Sequence, residues 1–346
     1  MAMTDVTVRG AGIFGLSIAW ACARRGAKVR LIDPFGPGAG ASGGVVGALA
    51  PHVPENWNAK KAFQLDSLLM AEPFWHDVQA TGGLSPGYGR TGRLQPINDD
   101  RALELARQRA GTARDLWRGL ATWQVRKISD VGPWTPPSAT GLVIHDTLSA
   151  RMHPRQACAA LVAALGTMGI PIETDAPDRG PVIHATGAAG LTSLGAELGK
   201  PIGNAVKGQA ALLRFDAADA PQLFVDGLHL IPHADGTLAI GSTSERDFTD
   251  PTGTDAALGV LIERALTALP ILHGAPVIER WAGLRPRARS RAPMLGPWPD
   301  RRGHFIANGG FKIGFGMAPK VAQVMADLVL DNRDGIPTDF RVEASM

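Results

Sequence analysis

The sequence predicts an α/β fold in which a Rossmann-like, parallel-sheet domain is interleaved with a second, mixed-sheet domain. Three observations predict it. Residues 6–33, "VTVRGAGIFGLSIAWACARRGAKVRLID", run from an apolar strand through a glycine turn and a helix to a second strand that ends in an acid. Residues 303–330, "GHFIANGGFKIGFGMAPKVAQVMADLVL", read as another strand, glycine loop and helix. Between them "GQAALLRF", "GLHLIPH" and "TLAIGSTSE" have strand character with turn residues separating them, as in a mixed sheet.

In the first element, Val6 and Val8 enter the turn as a buried strand. Gly10 permits the tight turn, Gly12 lets the main chain approach a pyrophosphate, and Gly15 lets the helix lie close on the sheet. The helix, expected over residues 14–25, directs its N-terminal N–H groups and positive dipole end at the phosphates. "AKVRLID" is the second parallel strand, and its terminal Asp33 can accept both hydroxyl hydrogens of an adenosine ribose. This pattern predicts dinucleotide binding without separating NAD from FAD, because both carry the ADP half.

The next stretch does separate them. "GPGAGASGGVVGALAPH", residues 36–52, is a long loop of small residues where a nicotinamide fold needs another helix. It suits a cofactor whose extended chain runs past main-chain donors toward a bulky ring, with the Ser42 hydroxyl available and Gly43 to Leu49 permitting close approach. Near the C-terminus, Val321, Val324, Met325 and Leu328 form one helical stripe, with Pro319 expected in the first turn. A glycine loop feeding this helix N-terminus can stabilise the negative charge of a reduced flavin. "PVIHATGAAG", residues 181–190, reads as a buried strand that breaks at Thr186–Gly187 beside the ADP. "HPRQACAALVAALGTMG" is a helix with Pro154 near its start, Gly169 past its end, and Cys158, Leu161, Val162 and Leu165 facing the core.

Bulk properties limit the function classes. A chain of 346 residues, 45% apolar and 19% charged, can bury one large core or two moderate ones. No long uncharged apolar run predicts a membrane span, and no basic n-region predicts a signal peptide. The net charge of +3 and a pI near 9.1 favour anionic ligands mildly. The arginines are not interleaved with aromatics, so a nucleic-acid partner is not expected. Cys22 and Cys158, both within helices, read as core thiols, and a cytoplasmic setting follows from so few cysteines. No Cys/His spacing predicts a metal site.

Several motifs, in order, resemble the D-amino-acid oxidase/glycine oxidase family of FAD enzymes, and its bacterial glycine oxidases most. They are "GAGIFGLSIAW", "ASGGVVGALAPH", "VKGQAALLRF", "LIPHADGTLAIGSTSE", "WAGLRPRARSRAPMLG" and "GGFKIGFGMAP". The resemblance implies an FAD-binding domain of glutathione-reductase type over residues 1–78, 149–203 and 296–346. A substrate domain then comprises residues 79–148 and 204–295. It implies that FAD, expected to be held noncovalently because neither cysteine lies in "WAGLRP" or "GGFKIG", meets Gly10, Gly12, Ile13, Phe14, Gly15, Asp33 and Pro34 at its adenosine end. Ala41, Ser42, Gly47, Ala48 and Leu49 would meet its middle and ring, and Gly187 lies near the ADP. Gly310, Phe311, Lys312, Ile313, Gly314 and Phe315 would cradle the isoalloxazine.

Arg285 in "GLRP" matches the arginine that grips the substrate carboxylate, through two parallel charge-assisted hydrogen bonds. Lys312 and His229 complete the expected catalytic group. Both depart from the family, since Lys312 replaces a second arginine and His229 replaces a tyrosine. Ser290 stands at the place of a frequent acid, the only tyrosine is Tyr88 in a loop, and the segment before "PVIHATG" is short. The implied reaction is oxidation of a small amino acid or N-substituted glycine by hydride transfer from its α-carbon to the flavin. An imine and then an oxo acid follow, with oxygen or another acceptor taking the electrons. His52 is a weaker candidate for touching the ring. Alternatives are trimming of a secondary amine on a larger substrate such as modified tRNA, to which the arginines of "LRPRARSRAP" would contribute, and a non-catalytic redox sensor. A homo-oligomer is compatible with the sequence.

Overall fold

A computed structural model describes residues 4–346. Seven helices occur among the described residues: α1 (Ile13–Arg24), α2 (Ala59–Gly82), α3 (Asp100–Leu116), α4 (Pro154–Thr167), α5 (Gly187–Glu197), α6 (Ala256–Ala268) and α7 (Gly314–Asp331). The first eight strands are β1 (Asp5–Arg9), β2 (Lys28–Ile32), β3 (Ala48–Leu49), β4 (Arg93–Ile97), β5 (Trp123–Lys127), β6 (Leu142–Asp146), β7 (Ala150–Arg151) and β8 (Ile172–Glu173). They are followed by β9 (Val182–His184), β10 (Gly203–Arg214), β11 (Gln222–Val225), β12 (Leu228–Pro232), β13 (Thr237–Gly241), β14 (Val277–Ala288), β15 (Met294–Pro297) and β16 (His304–Asn308).

The strands form two large sheets, of order β15-β16-β9-β1-β2-β8 and β14-β10-β13-β12-β11-β4-β6-β5. In the first, β1 lies between β2 and β9 in parallel, β16 joins β9 in parallel, and only β15 is antiparallel. This is the Rossmann-like arrangement expected from residues 6–33. The second sheet is antiparallel except at β11–β4. Because the first sheet draws on residues 5–32, 172–184 and 294–308, the chain crosses between the sheets repeatedly. The two-stranded β3–β7 pair fastens the loop after β2 to the chain just before α4.

Burial explains the helices. Nearly every residue of α1 is buried, because sheet, α4 and α7 surround it; such a helix is apolar on all sides rather than striped. α4 begins at Pro154, where the missing N–H costs nothing, and ends before Gly169 at φ +74°. Cys158, Leu161 and Leu165 are buried as expected, whereas Val162 is only half-buried at the edge of that face. In α2, Asn58 caps the start by accepting from Lys61 N–H, and Gly83 at φ +74° ends it. The boundary expected after residue 78 therefore falls inside a helix. Pro319 is also displaced from expectation. α7 starts at Gly314, so the proline lies inside the helix rather than in its first turn. The extra turn forms ahead of the proline because Met317 N–H already donates to the Ile313 carbonyl, at 3.0 Å.

A second core, containing Leu94, Leu213, Leu223, Leu230, Leu238 and Ile240, lies between the antiparallel sheet and Leu258, Leu261 and Ile262 of α6. The two sheets meet along β14, whose residues Pro286 and Arg287 join the loop after β16. That junction positions the site.

Candidate active site

Main-chain geometry builds one half of the site. Gly10, at φ +105°, donates to the Ile32 carbonyl at 2.7 Å, and a Cβ there would stand 2.4 Å from the Ala185 oxygen. A Cβ on Gly15 would stand 1.8 Å from the Gly10 oxygen, so neither position accepts a side chain. Gly12 is different: a Cβ would meet only the Ser42 hydroxyl, at 3.2 Å. That hydroxyl accepts from Ile13 N–H at 2.9 Å and so caps the first turn of α1. Asp33 accepts from Ala11 N–H at 2.7 Å and from Phe35 N–H at 2.9 Å. It therefore braces the glycine turn as well as ending β2, a structural role that its position in the motif did not reveal. A carboxylate has about four lone-pair sites, so acceptor capacity remains for ribose hydroxyls. Pro34 is exposed beside it.

The N-terminus of α7 converges on that of α1. A Cβ on Gly310 would meet the Phe14 ring at 2.9 Å, and one on Gly314 would meet Ile13 at 3.5 Å. Two positive helix ends thus face one region. Ala41 and Ser42 lie in a short 3-10 turn, and Gly47 is pressed on Met152, whose N–H donates to the Gly47 carbonyl at 2.9 Å. Ala48 and Leu49 form β3, with Leu49 against Gly316. Asn308 donates to the Gly187 carbonyl at 2.9 Å, which ties the start of α5 to the second glycine loop. Within that loop Phe311 takes a left-handed φ of +44°, held by donation to the Pro286 carbonyl at 2.9 Å. Strain of this kind costs about 1–3 kcal/mol and persists where surrounding structure imposes it. Ile313 and Phe315 are half-buried around the start of α7. The small-residue cradle and paired helix ends fit a dinucleotide with an extended linker.

Side chains build the other half. Arg285, on β14, is 8% exposed, and its Nη1 donates to the Thr243 carbonyl at 3.2 Å. Burial lowers its pKa to about 10, opposed by Glu245, and it remains a cation at neutral pH. Lys312 and Arg287 both lie over the Phe311 ring, at 5.8 Å and 5.4 Å from its centre. Lys312 is exposed overall. Partial desolvation, then repulsion by Arg285 and Arg287, nonetheless lowers its pKa. His229, on β12 opposite Gly241, is driven down to about 3 by burial and then by Arg93, Lys312 and Arg285. It is neutral at pH 7, and its buried Nδ1 has no hydrogen-bond partner among the described residues. The three residues expected to act together, Arg285, Lys312 and His229, do share one electrostatic neighbourhood.

The structure adds residues that sequence reasoning did not single out. Thr243 Oγ1 donates to Glu245 Oε1 at 2.5 Å, and Gln209 Nε2 bridges Glu245 and Asp255 at 3.0 and 2.8 Å. Buried Lys207 faces the same two carboxylates at 3.7 and 3.4 Å. These lie in "VKGQ" and "GSTSE", but only the pairing of β10 with the segment after β13 brings them together. Arg93 forms a buried pair with Asp146 at 2.9 Å.

Other expectations resolve locally. The arginines of "LRPRARSRAP" diverge: Arg285 is buried, Arg287 is half-buried on Phe311, and Arg289 and Arg291 are exposed. His52 is held to α2, with Nδ1 2.5 Å from Gln64 Oε1. Cys22 and Cys158 are free and buried, and burial raises both thiols to about 12. Among the described residues, no helix is long and apolar enough to cross a membrane, and no group of three His, Cys, Asp or Glu is placed to hold a metal ion.

Comparison with known proteins bears on this geometry. The DAO family model, described as FAD dependent oxidoreductase, matches residues 5–328. The glycine oxidase of Pseudomonas putida is 37% identical over 40% of this chain and 38% of its own length. The match to that relative therefore spans less than half of it. The glycine oxidase of Geobacillus kaustophilus is 23% identical over 94% of this chain and 92% of its own length. A crystal structure of glycine oxidase from G. kaustophilus superposes with a TM-score of 0.84, covering 99% of both chains at 21% identity. Iminodiacetate oxidase from Chelativorans sp. BNC1 also superposes with a TM-score of 0.84, covering 96% of this chain and 97% of that one at 22% identity. At these identities the structural likenesses establish the fold.

Proposed function

The chain belongs to the DAO family of FAD-dependent oxidoreductases, and from that premise we propose that it oxidises the C–N bond of a small amino acid or N-substituted glycine. Its cofactor is FAD and its substrates are amines. Bound FAD would supply the acceptor for the hydride, and with it the two electrons, lost from the substrate α-carbon.

The observation that carries the finer reading is the state of Arg285. The guanidinium is buried, makes one hydrogen bond to the protein, and has no carboxylate within ion-pairing distance among the described residues. A buried cation left this way is costly unless a ligand completes it. A substrate carboxylate does so, in the bidentate form a guanidinium favours. Lys312 adds positive charge from the opposite loop. His229 stays neutral beside both cations and offers an uncharged hydrogen-bonding edge without taking up a proton at neutral pH. The substrate amine, once unprotonated, supplies the lone pair that forms the imine. Hydrolysis then yields an oxo acid and ammonia or an amine. The Cys22 and Cys158 thiols remain protonated and buried, which supports noncovalent retention of FAD.

Anaerobic mixing of the holoenzyme with a panel of amino acids and N-alkylglycines tests the reading through loss of flavin absorbance. Arg285→Ala is expected to raise the substrate Kd by about 100- to 1000-fold, from the loss of two charge-assisted hydrogen bonds, with FAD retained. Unchanged affinity in that variant would remove Arg285 as the anchor.

A further inference from the structure

The Arg285 side chain does not project freely from β14. It crosses onto β10, where its guanidinium lies on the main chain of Gly208. A Cβ built on Gly208 would stand 1.7 Å from Arg285 Nη1, 2.1 Å from Cζ and 2.2 Å from Nη2. The fork fills the volume that any side chain at 208 would need. Strand register accounts for this: Val206 pairs with Arg285, and Gly208 pairs with Gly283. Gly208 is therefore the diagonal neighbour of Arg285 on one face of the sheet. Gly283 plays the same part for Trp281, whose ring would lie 2.5 Å from a Cβ at 283. Two facing glycines thus make one notch, with the tryptophan in one half and the guanidinium in the other. The intervening residues, Lys207 and Gln209, turn to the opposite face and join Glu245 and Asp255.

We propose that Gly208 is a positioning residue for the reaction: its missing side chain seats the Arg285 fork so that Nη1 meets the Thr243 carbonyl and the remaining N–H groups face the substrate carboxylate. This rests on the reading of Arg285 as carboxylate anchor. A methyl group at 208 has to displace the guanidinium, and the displaced atoms are the mobile end of a side chain rather than main chain. The strands can pair as before while the fork loses its orientation.

The test uses FAD-loaded Gly208→Ala, Arg285→Ala and the double variant. Acetate titrations read by flavin absorbance give the carboxylate Kd, and substrate kinetics separate KM from kcat. Gly208→Ala is expected to retain FAD and its melting temperature, and to raise the acetate Kd and KM by about 30-fold with kcat nearly unchanged. The double variant should bind acetate as Arg285→Ala does, because Gly208 acts only through the fork. Wild-type affinity in Gly208→Ala overturns the proposal, as does a 30-fold penalty that persists on the Arg285→Ala background. If Gly208→Ala does not fold, Arg285→Ala must restore folding by emptying the notch; a double variant that stays unfolded also overturns it. Should Arg285→Ala itself leave acetate binding unchanged while Gly208→Ala weakens it, the anchor reading fails and this inference fails with it.

Discussion

The glycine turn at residues 10–15 and the Arg285 face use the chain in opposite ways. The turn is made of main chain from one contiguous segment, braced by Asp33 and Ser42, and its contacts are the same ones that pack α1 on β1 and β9. The Arg285 face is made of side chains from β14, β12 and the loop after β16, with the Arg285 fork seated on Gly208 of β10. Each of those side chains can be removed without taking a strand away. The difference predicts that changes in the turn disturb folding, whereas side chains of the Arg285 face can change without it.

The sharpest way to break that comparison is at Gly15. Gly15→Val places carbon atoms where the Gly10 carbonyl stands, so we expect destabilisation of about 3 kcal/mol or more together with loss of FAD. Thermal melts and flavin absorbance of the purified variant measure both. A stable Gly15→Val protein without FAD would show that the two properties are independent.

The second test uses pH. His233 is fully buried, its Nε2 lies 2.9 Å from the Val45 carbonyl in the loop after β2, and burial lowers its pKa to about 4. In the unfolded chain it titrates near 6.5. The unfolded state therefore binds the proton first, and His233 lowers stability as pH falls from about 6.5 toward 4, by up to ~1.4 kcal/mol per pH unit. Above pH 6.5 this effect is absent. Urea unfolding of His233→Gln should show a shallower decline over that window than the wild type. Equal slopes would mean that His233 is not held neutral.

The smallest effect sharpens the substrate side. Lys312→Met removes one exposed charge near Arg285 and should raise KM about fivefold at low salt, with FAD and melting temperature unchanged. The gap between variant and wild type should narrow as salt rises. A salt-independent gap would point to packing on Phe311 instead.

Local sequence determined the glycine-turn half of this protein. Strand, glycine spacing, helix and terminal acid act within about 30 residues, and a main-chain site needs little beyond the conformations those residues permit. That a helix follows each glycine loop was legible for the same reason, although α7 begins at Gly314, earlier than expected. Tertiary structure alone decided the rest. That Pro319 lies within α7 and that Gly208 stands under Arg285 depend on packing or register between segments far apart in the chain, and Asp33 braces the turn through a hydrogen bond from Ala11 that its place at the strand end does not show. Side-chain periodicity can place a residue on a face of a strand, but only the pairing of β10 with β14 determines which residue lies across from it.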